Sequence, residues 1–263
     1  MIRPKKSLGQ NFLIDQNVIN KIINFGDIKN ENILEIGPGT GYLTKNILIK
    51  KPKKLIVIEK DALLIQELKK NVKHKDVEIL NEDILKTNLE LIMLKNTIVY
   101  GNLPYNISTQ ILIRLIQLLD NPLKFSKLII MFQKEVAEKI MAKFNTKNYG
   151  RLTVIANWRL KITNHLDISK NCFWPKPKID STLLVFEPLL KAKYKINKIS
   201  SLEYITRVFF SNKRKMINKC FKTIFDNPVE VSKKLNINLS CRPAEISTEK
   251  YYEITELFEK YNK

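Results

Sequence analysis

Short apolar runs alternate with stretches of helical periodicity along roughly the first two thirds of the chain. Asp15 is placed to cap a helix whose apolar residues Val18, Ile19, Ile22 and Ile23 recur at helical spacing. Ile33-Leu34-Glu35-Ile36 leads into a glycine-rich turn and a helical stretch through Ile49. Leu55-Ile56-Val57-Ile58 ends at Glu59, and an amphipathic segment follows from Asp61 to Asn71. Val77-Glu78-Ile79-Leu80 ends near Asp83, and Thr97-Ile98-Val99-Tyr100 ends at Asn102. A fifth run, Leu128 to Phe132, precedes a helix-like stretch from Gln133 to Lys143. This alternation predicts an α/β fold, a parallel sheet covered by helices on both faces.

Trp158 to Phe186 reads as further strands around a proline-rich loop, Phe173-Trp174-Pro175-Lys176-Pro177-Lys178. After Pro188 a charged stretch carrying Lys191, Lys193, Lys195 and Lys198 leads into helical periodicity up to Lys263. Leu202, Ile205, Phe209 and Met216 are expected on one helical stripe, with Arg207, Arg214 and Lys215 off it. A boundary within 190–198 divides the chain into a domain of residues 1–192 and a small all-helical domain of residues 193–263.

Charge changes the picture by pointing to a partner. Lys and Arg number 46 against 26 Asp and Glu, a formal net charge of +20. Such an excess suits a polyanion, because each cation near a phosphate releases condensed counterions. An anionic membrane surface would attract it too, and AT-biased coding inflates lysine whatever the function. Cys172, Cys220 and Cys241 form no close pair, and His74 and His165 stand alone, so neither a metal pattern nor a disulfide framework is read. Each cysteine is expected to be a small buried hydrophobe. The basic start leads into no apolar signal core, and Ile111 to Leu119 is too short and too polar to span a bilayer. A cytoplasmic protein follows as the expectation, with monomer as the default.

The candidate chemistry lies at the strand ends, where ligands of open α/β sheets bind. Gly37, Gly39 and Gly41 follow the first run and let the backbone approach a ligand closely. Their spacing is Gly-x-Gly-x-Gly, short of the pattern that cradles a dinucleotide pyrophosphate. S-adenosylmethionine has no phosphate and needs no such cradle. Glu59 is placed to accept from both ribose hydroxyls, and Asp83 from an adenine amino group.

Asn102-Leu103-Pro104-Tyr105 follows the fourth run in the same crevice. An adenine amine is a poor nucleophile because its lone pair is delocalised into the ring. Acceptors held against its hydrogens, the Asn102 side-chain oxygen and the Leu103 carbonyl, would favour a pyramidal nitrogen. Pro104 stiffens the loop, and Tyr105 offers a ring on which an extruded base can stack.

With these motifs in place, the chain resembles the ribosomal RNA adenine dimethyltransferase family over nearly its whole length. Lys6-Ser7-Leu8-Gly9-Gln10-Asn11-Phe12-Leu13 is similar to its N-terminal motif, and the glycine loop, Glu59, Asp83 and the tetrapeptide follow in the family's order. Gln133 to Ala137, Tyr149-Gly150-Arg151-Leu152 and Phe173 through Ser181 come next. The resemblance implies a Rossmann-like S-adenosylmethionine methyltransferase sheet, with Asn11 and Leu13 against the methionine part of the cofactor. It implies that Phe173 stacks on the target base opposite Tyr105; Trp174 departs from the small or polar residue usual there.

Phe209 to Met216, with Lys213, Arg214 and Lys215, resembles the basic helix of the branch that dimethylates two adjacent adenosines in the 3′-terminal hairpin of small-subunit RNA. Arg242-Pro243-Ala244-Glu245 and Tyr251 resemble that branch's closing motif. The implied partner is small-subunit RNA within an immature 30S particle. Three rivals are a large-subunit (23S) enzyme conferring macrolide resistance, to which the loop Pro175 to Lys178 lends some flavour, an adenine-N6 DNA methyltransferase, and a ribosome-assembly factor keeping the fold.

Overall fold

The computed structural model describes residues 4–5, 9–72, 77–120, 124–189 and 193–262. Lys6, Ser7, Leu8, His74 and Lys191 lie outside them. In chain order the elements are β1 (Phe12–Leu13), α1 (Gln16–Ile23), β2 (Asn32–Ile36), α2 (Tyr42–Ile49), β3 (Lys54–Glu59), α3 (Ala62–Asn71) and β4 (Val77–Asn81). Then come α4 (Leu89–Ile92), β5 (Thr97–Asn102), α5 (Ser108–Gln117), β6 (Phe125–Gln133), α6 (Lys134–Met141) and α7 (Arg151–Arg159). β7 (Leu160–Ile168), β8 (Phe173–Trp174), β9 (Ser181–Pro188), α8 (Ile199–Phe210), α9 (Asn218–Ile224), α10 (Pro228–Lys234) and α11 (Thr248–Tyr261) complete the chain.

The helix starts carry their own chemistry. Asp15 accepts from the Val18 amide and Asp61 from the Leu63 amide, satisfying donors that the first turn leaves open. α1 turns Ile19, Ile22 and Ile23 inward, as the spacing predicts.

Residues cluster into two compact units, one of Met1–Ala137 with Lys161–Pro188, the other of Glu138–Leu160 with Leu189–Lys263. The first holds a seven-stranded sheet in the order β4-β3-β2-β5-β6-β9-β7. β2, β3, β4, β5 and β6 pair in parallel, whereas β9 runs antiparallel to β6, Gln133 facing Ser181 and Leu128 facing Phe186. The five runs read from the sequence thus form the expected parallel sheet, and β9 extends it as an antiparallel partner. β9 arrives from a loop rather than from a crossover helix, and only a parallel partner requires that crossover. Four or more consecutive buried residues in β2, β3 and β5 mean both faces are covered there. Ile33, Leu55, Val57, Ile98, Tyr100 and Ile129 form the middle of that core.

Strands do not begin at Trp158, which lies on helix α7 instead. Val154, Ile155 and Trp158 are buried at i, i+1 and i+4, a helical spacing that overrides the β-preference of the residue types. The cysteines differ as well: all three are only half-buried.

The second unit packs α8 through Leu202, Ile205, Thr206 and Phe209. Its tyrosines are anchored by their hydroxyls, which burial alone would leave costly. Tyr149 donates to Ile246 O at 2.9 Å, Tyr251 to Pro243 O at 2.8 Å and Tyr252 to Val154 O at 2.8 Å. The Arg242 to Glu245 motif is thus a clasp on Tyr251. Met216 leaves the expected stripe: it is 55% exposed and lies beyond the end of α8 at Phe210. Lys213, Arg214 and Lys215 sit in the turns after that helix, not on it, a correction to the basic helix that the resemblance implied. Lys213 Nζ donates to Tyr149 O at 2.8 Å and stands 5.6 Å over the Phe210 ring. Burial and the neighbouring Lys139 charge hold its pKa below the usual lysine value.

Candidate active site

Strand order reverses between β2 and β5: β3 and β4 lie on one side, β6 on the other. At such a switch point the loops beyond the two strands part and leave a crevice. A cavity of about 220 Å³ opens there. It is walled by the chain from Gly9 to Leu13, the β2 loop, the end of β3, Glu82 to Leu85, and Gly101 to Ile107. Asn11, Leu13, Gly37, Gly39, Glu59, Asp83, Asn102, Leu103, Pro104 and Tyr105 are all on its wall.

Gly37 and Gly39 adopt φ +70° and +55°, conformations that side chains resist. A Cβ on Gly39 would also lie 2.7 Å from the Phe12 ring. The turn they make aims the Gly39 amide at Glu59 Oε2, 3.3 Å away, while Glu59 Oε1 accepts from the Asp61 amide at 2.9 Å. Glu59 is 9% exposed, and burial raises its pKa despite those backbone donors. Glu35, at 1% exposure, is raised to about 8 by burial, and its Oε2 has no hydrogen-bond partner.

Asp83 accepts from Lys60 Nζ at 2.8 Å and from the Leu85 amide at 3.0 Å, and the lysine bond holds its pKa down. Behind that loop Arg114 of α5 donates to the carbonyls of Leu85 and Thr87. Asp61 accepts from Lys5 Nζ and Gln10 Nε2, both at 2.9 Å, joining the N-terminal segment to the end of β3. These positioning residues were not singled out from sequence. Arg114 carried only the signal of a cation inside an apolar helix face.

Asn102 Nδ2 donates to Asn11 O at 3.0 Å. That bond fixes which end of the amide points where, and leaves Oδ1 to accept from a ligand. The Leu103 side chain is 2% exposed and folds back over Gly101, where a Cβ would meet Leu103 Cδ2 at 2.7 Å. Only the backbone of Leu103 is left for chemistry. Tyr105 bonds Ser181 Oγ of β9 through its hydroxyl at 2.7 Å, so its ring is braced from two strands along the sheet.

Phe173 does not join this group. It is 3% exposed, lies in the core and is not on the cavity wall. β8 pairs with β1, Leu13 facing Phe173 and Phe12 facing Trp174. Neighbouring side chains on a strand point to opposite sides. Phe173 therefore follows Leu13 inward, and Trp174, 45% exposed, takes the outer position.

The cavity suits S-adenosylmethionine: it has apolar walls, a two-oxygen acceptor in Glu59 at a glycine turn, and a buried carboxyl oxygen of Glu35 awaiting a polar partner. Among the described residues no helix is long and apolar enough to cross a membrane, and no three His, Cys, Asp or Glu side chains gather as metal ligands.

Comparison with known proteins agrees. The chain is 46% identical over 258 residues to the ribosomal RNA small subunit methyltransferase A of Pelagibacter ubique, with 98% of each chain covered. The enzyme of the same name from Mycoplasma mobile is 39% identical, covering 94% of this chain and 95% of that one. Among solved structures, a dimethyladenosine transferase from Plasmodium falciparum superposes with a TM-score of 0.79 at 27% identity, covering 95% and 98% of the two chains. The 23S rRNA methyltransferase ErmE shares the fold, with a TM-score of 0.67 at 21% identity over 96% and 100% of the chains. A family model described as ribosomal RNA adenine dimethylase matches residues 1–260, and the chain belongs to that family.

Proposed function

We propose that this enzyme dimethylates N6 of two adjacent adenosines in the 3′-terminal hairpin of small-subunit (16S) ribosomal RNA, acting as a cytoplasmic monomer on an immature 30S particle. S-adenosylmethionine is the cofactor, and when bound it supplies an electrophilic methyl group on a sulfonium. The observation that carries the proposal is the bond from Asn102 to Asn11, which turns Oδ1 into an oriented acceptor beside the cofactor cavity.

In this reading Asn102 Oδ1 and the Leu103 carbonyl accept from the two amine hydrogens and direct the nitrogen lone pair. Pro104 keeps that loop rigid, and Tyr105 stacks on the base. Glu59 takes the ribose hydroxyls of the cofactor and Asp83 its adenine amino group. Asn11 and Leu13 hold the methionine part, and Gly37 and Gly39 give room for it. The methylated nitrogen gives up its proton to water, so positioning accounts for most of the rate. Residues 1–192 carry this chemistry; residues 193–263 contact RNA, with Arg214 and Lys215 near phosphates.

The test supplies radiolabelled cofactor with undermethylated 30S particles, 50S particles or naked DNA. Label in the 3′-terminal hairpin of 16S RNA is the expected result. Label confined to 50S RNA overturns the substrate assignment.

A further inference from the structure

We propose that Trp174, followed in the chain by the exposed Lys176 and Lys178, is a stacking site for a nucleotide flanking the target adenosine. The inference rests on the RNA-methylating role above and adds a binding site outside the cavity. Residues 173 and 174 divide the work of one short strand: Phe173 anchors it in the core at 3% exposure, and Trp174 stands out at 45%. The indole lies over the Phe12 ring, centroids 6.3 Å apart and planes 26° apart. Phe12 is itself on the cavity wall and touches the Gly39 turn. Trp174 therefore stands one ring away from the cofactor cavity, whose wall also carries Asn102.

An indole nearly half in water is a poor use of apolar surface unless something covers it. Its surroundings say what. Residues 169–179 contain Lys170, Lys176 and Lys178 and no acid, and Lys176, Lys178 and Ile179 are exposed. Asp180, the next acidic side chain, accepts from the Lys170 backbone amide at 2.9 Å. A free aromatic face flanked by lysines is the pattern that binds single-stranded nucleic acid, the ring taking a base and the cations its phosphates. An acidic protein would match the lysines but leave the stacking face without a partner.

Tryptophan fluorescence makes the idea measurable, because the other tryptophan, Trp158, is 4% exposed. RNA carrying the target hairpin should quench the intact enzyme, and W174A should lose that quench while still binding RNA. The W158F enzyme, in which Trp174 is the remaining indole, should show the quench in full. Loss of the stack under one base should make W174A raise the KM for RNA by about tenfold, and W174F by less. Cofactor affinity and kcat should change less than about twofold by the same reasoning. A weakened cofactor affinity with an unchanged RNA KM overturns the proposal and reduces Trp174 to a cover for Phe12. So does a fluorescence unmoved by RNA that the enzyme binds. If the intact enzyme binds and is quenched by RNA but never methylates it, the stacking site stands and the methylation role falls.

Discussion

The side-chain amide of Asn102 is tied to the backbone carbonyl of Asn11, 3.0 Å away and 91 residues earlier in the chain. The bond spends the donor end of the amide on the protein and keeps the acceptor end for the substrate. Asn102→Ala removes that acceptor in the transition state and one hydrogen bond of the fold. The expected outcome is a fall in kcat of about 10²-fold or more, the scale of losing one oriented polar group. Stability should fall by only about 1 kcal/mol, and RNA affinity should be nearly unchanged. Single-turnover methylation alongside filter binding checks this. Near-normal turnover would mean that the amine is activated by something else.

Most of the cavity wall was legible because it is built from contiguous motifs. The glycine turn, Glu59, Asp83 and the tetrapeptide each end a strand whose apolar run is plain in the sequence, and strand ends converge. What was not legible depends on which way a side chain faces across a ladder. Phe173 and Trp174 differ by one position, and only pairing with Leu13 and Phe12 decides which is buried. The antiparallel arrival of β9 is likewise set by tertiary pairing rather than by periodicity. Arg114, Lys60 and Asp61 act through contacts 23 to 56 residues away, which no local pattern carries.

Arg114 offers a test of positioning at a distance from the ligand. Its guanidinium bonds the carbonyls of Leu85, inside the turn that Asp83 opens, and of Thr87, at the end of that turn. Arg114→Met keeps the stem and removes both donors. Charged hydrogen bonds contribute roughly 1.5–3 kcal/mol each, and part of that loss should appear as cofactor affinity weakened by about three- to tenfold. Titration calorimetry with S-adenosylmethionine measures it, with kcat at saturation as the control. An unchanged affinity with a lowered Tm would make Arg114 a brace of the fold alone.

The three basic residues after α8 should separate into two kinds. Lys213 is committed to Tyr149 O and the Phe210 ring, so Lys213→Met should destabilise the protein by about 1–2 kcal/mol. Arg214 and Lys215 are exposed, and replacing both by glutamine should leave Tm within about a degree. The double replacement should flatten the plot of log affinity for RNA against log salt by about one for each lost phosphate contact. A slope identical to that of the unmodified enzyme would leave these residues as a solvated turn.

Glu35 makes the stability of the ligand-free protein fall as pH rises. Its folded-state pKa of about 8 lies above the ordinary carboxyl value of 4.5, because burial penalises the charged form. Between those two values the unfolded chain releases a proton that the folded chain keeps, so stability is full below about 4.5 and is lost progressively toward about 8. A shift of this size corresponds to several kcal/mol. Glu59 is raised in the same direction, so the total pH dependence has more than one source, and the comparison must be between variants. Glu35→Gln removes the ionisable group while keeping its shape. Denaturant unfolding should find the two proteins within about 1 kcal/mol of each other at pH 5, with the glutamine protein increasingly the more stable toward pH 8. Curves that stay parallel over that range would mean that Glu35 remains ionised inside the fold, held by a cation or by water at its Oε2.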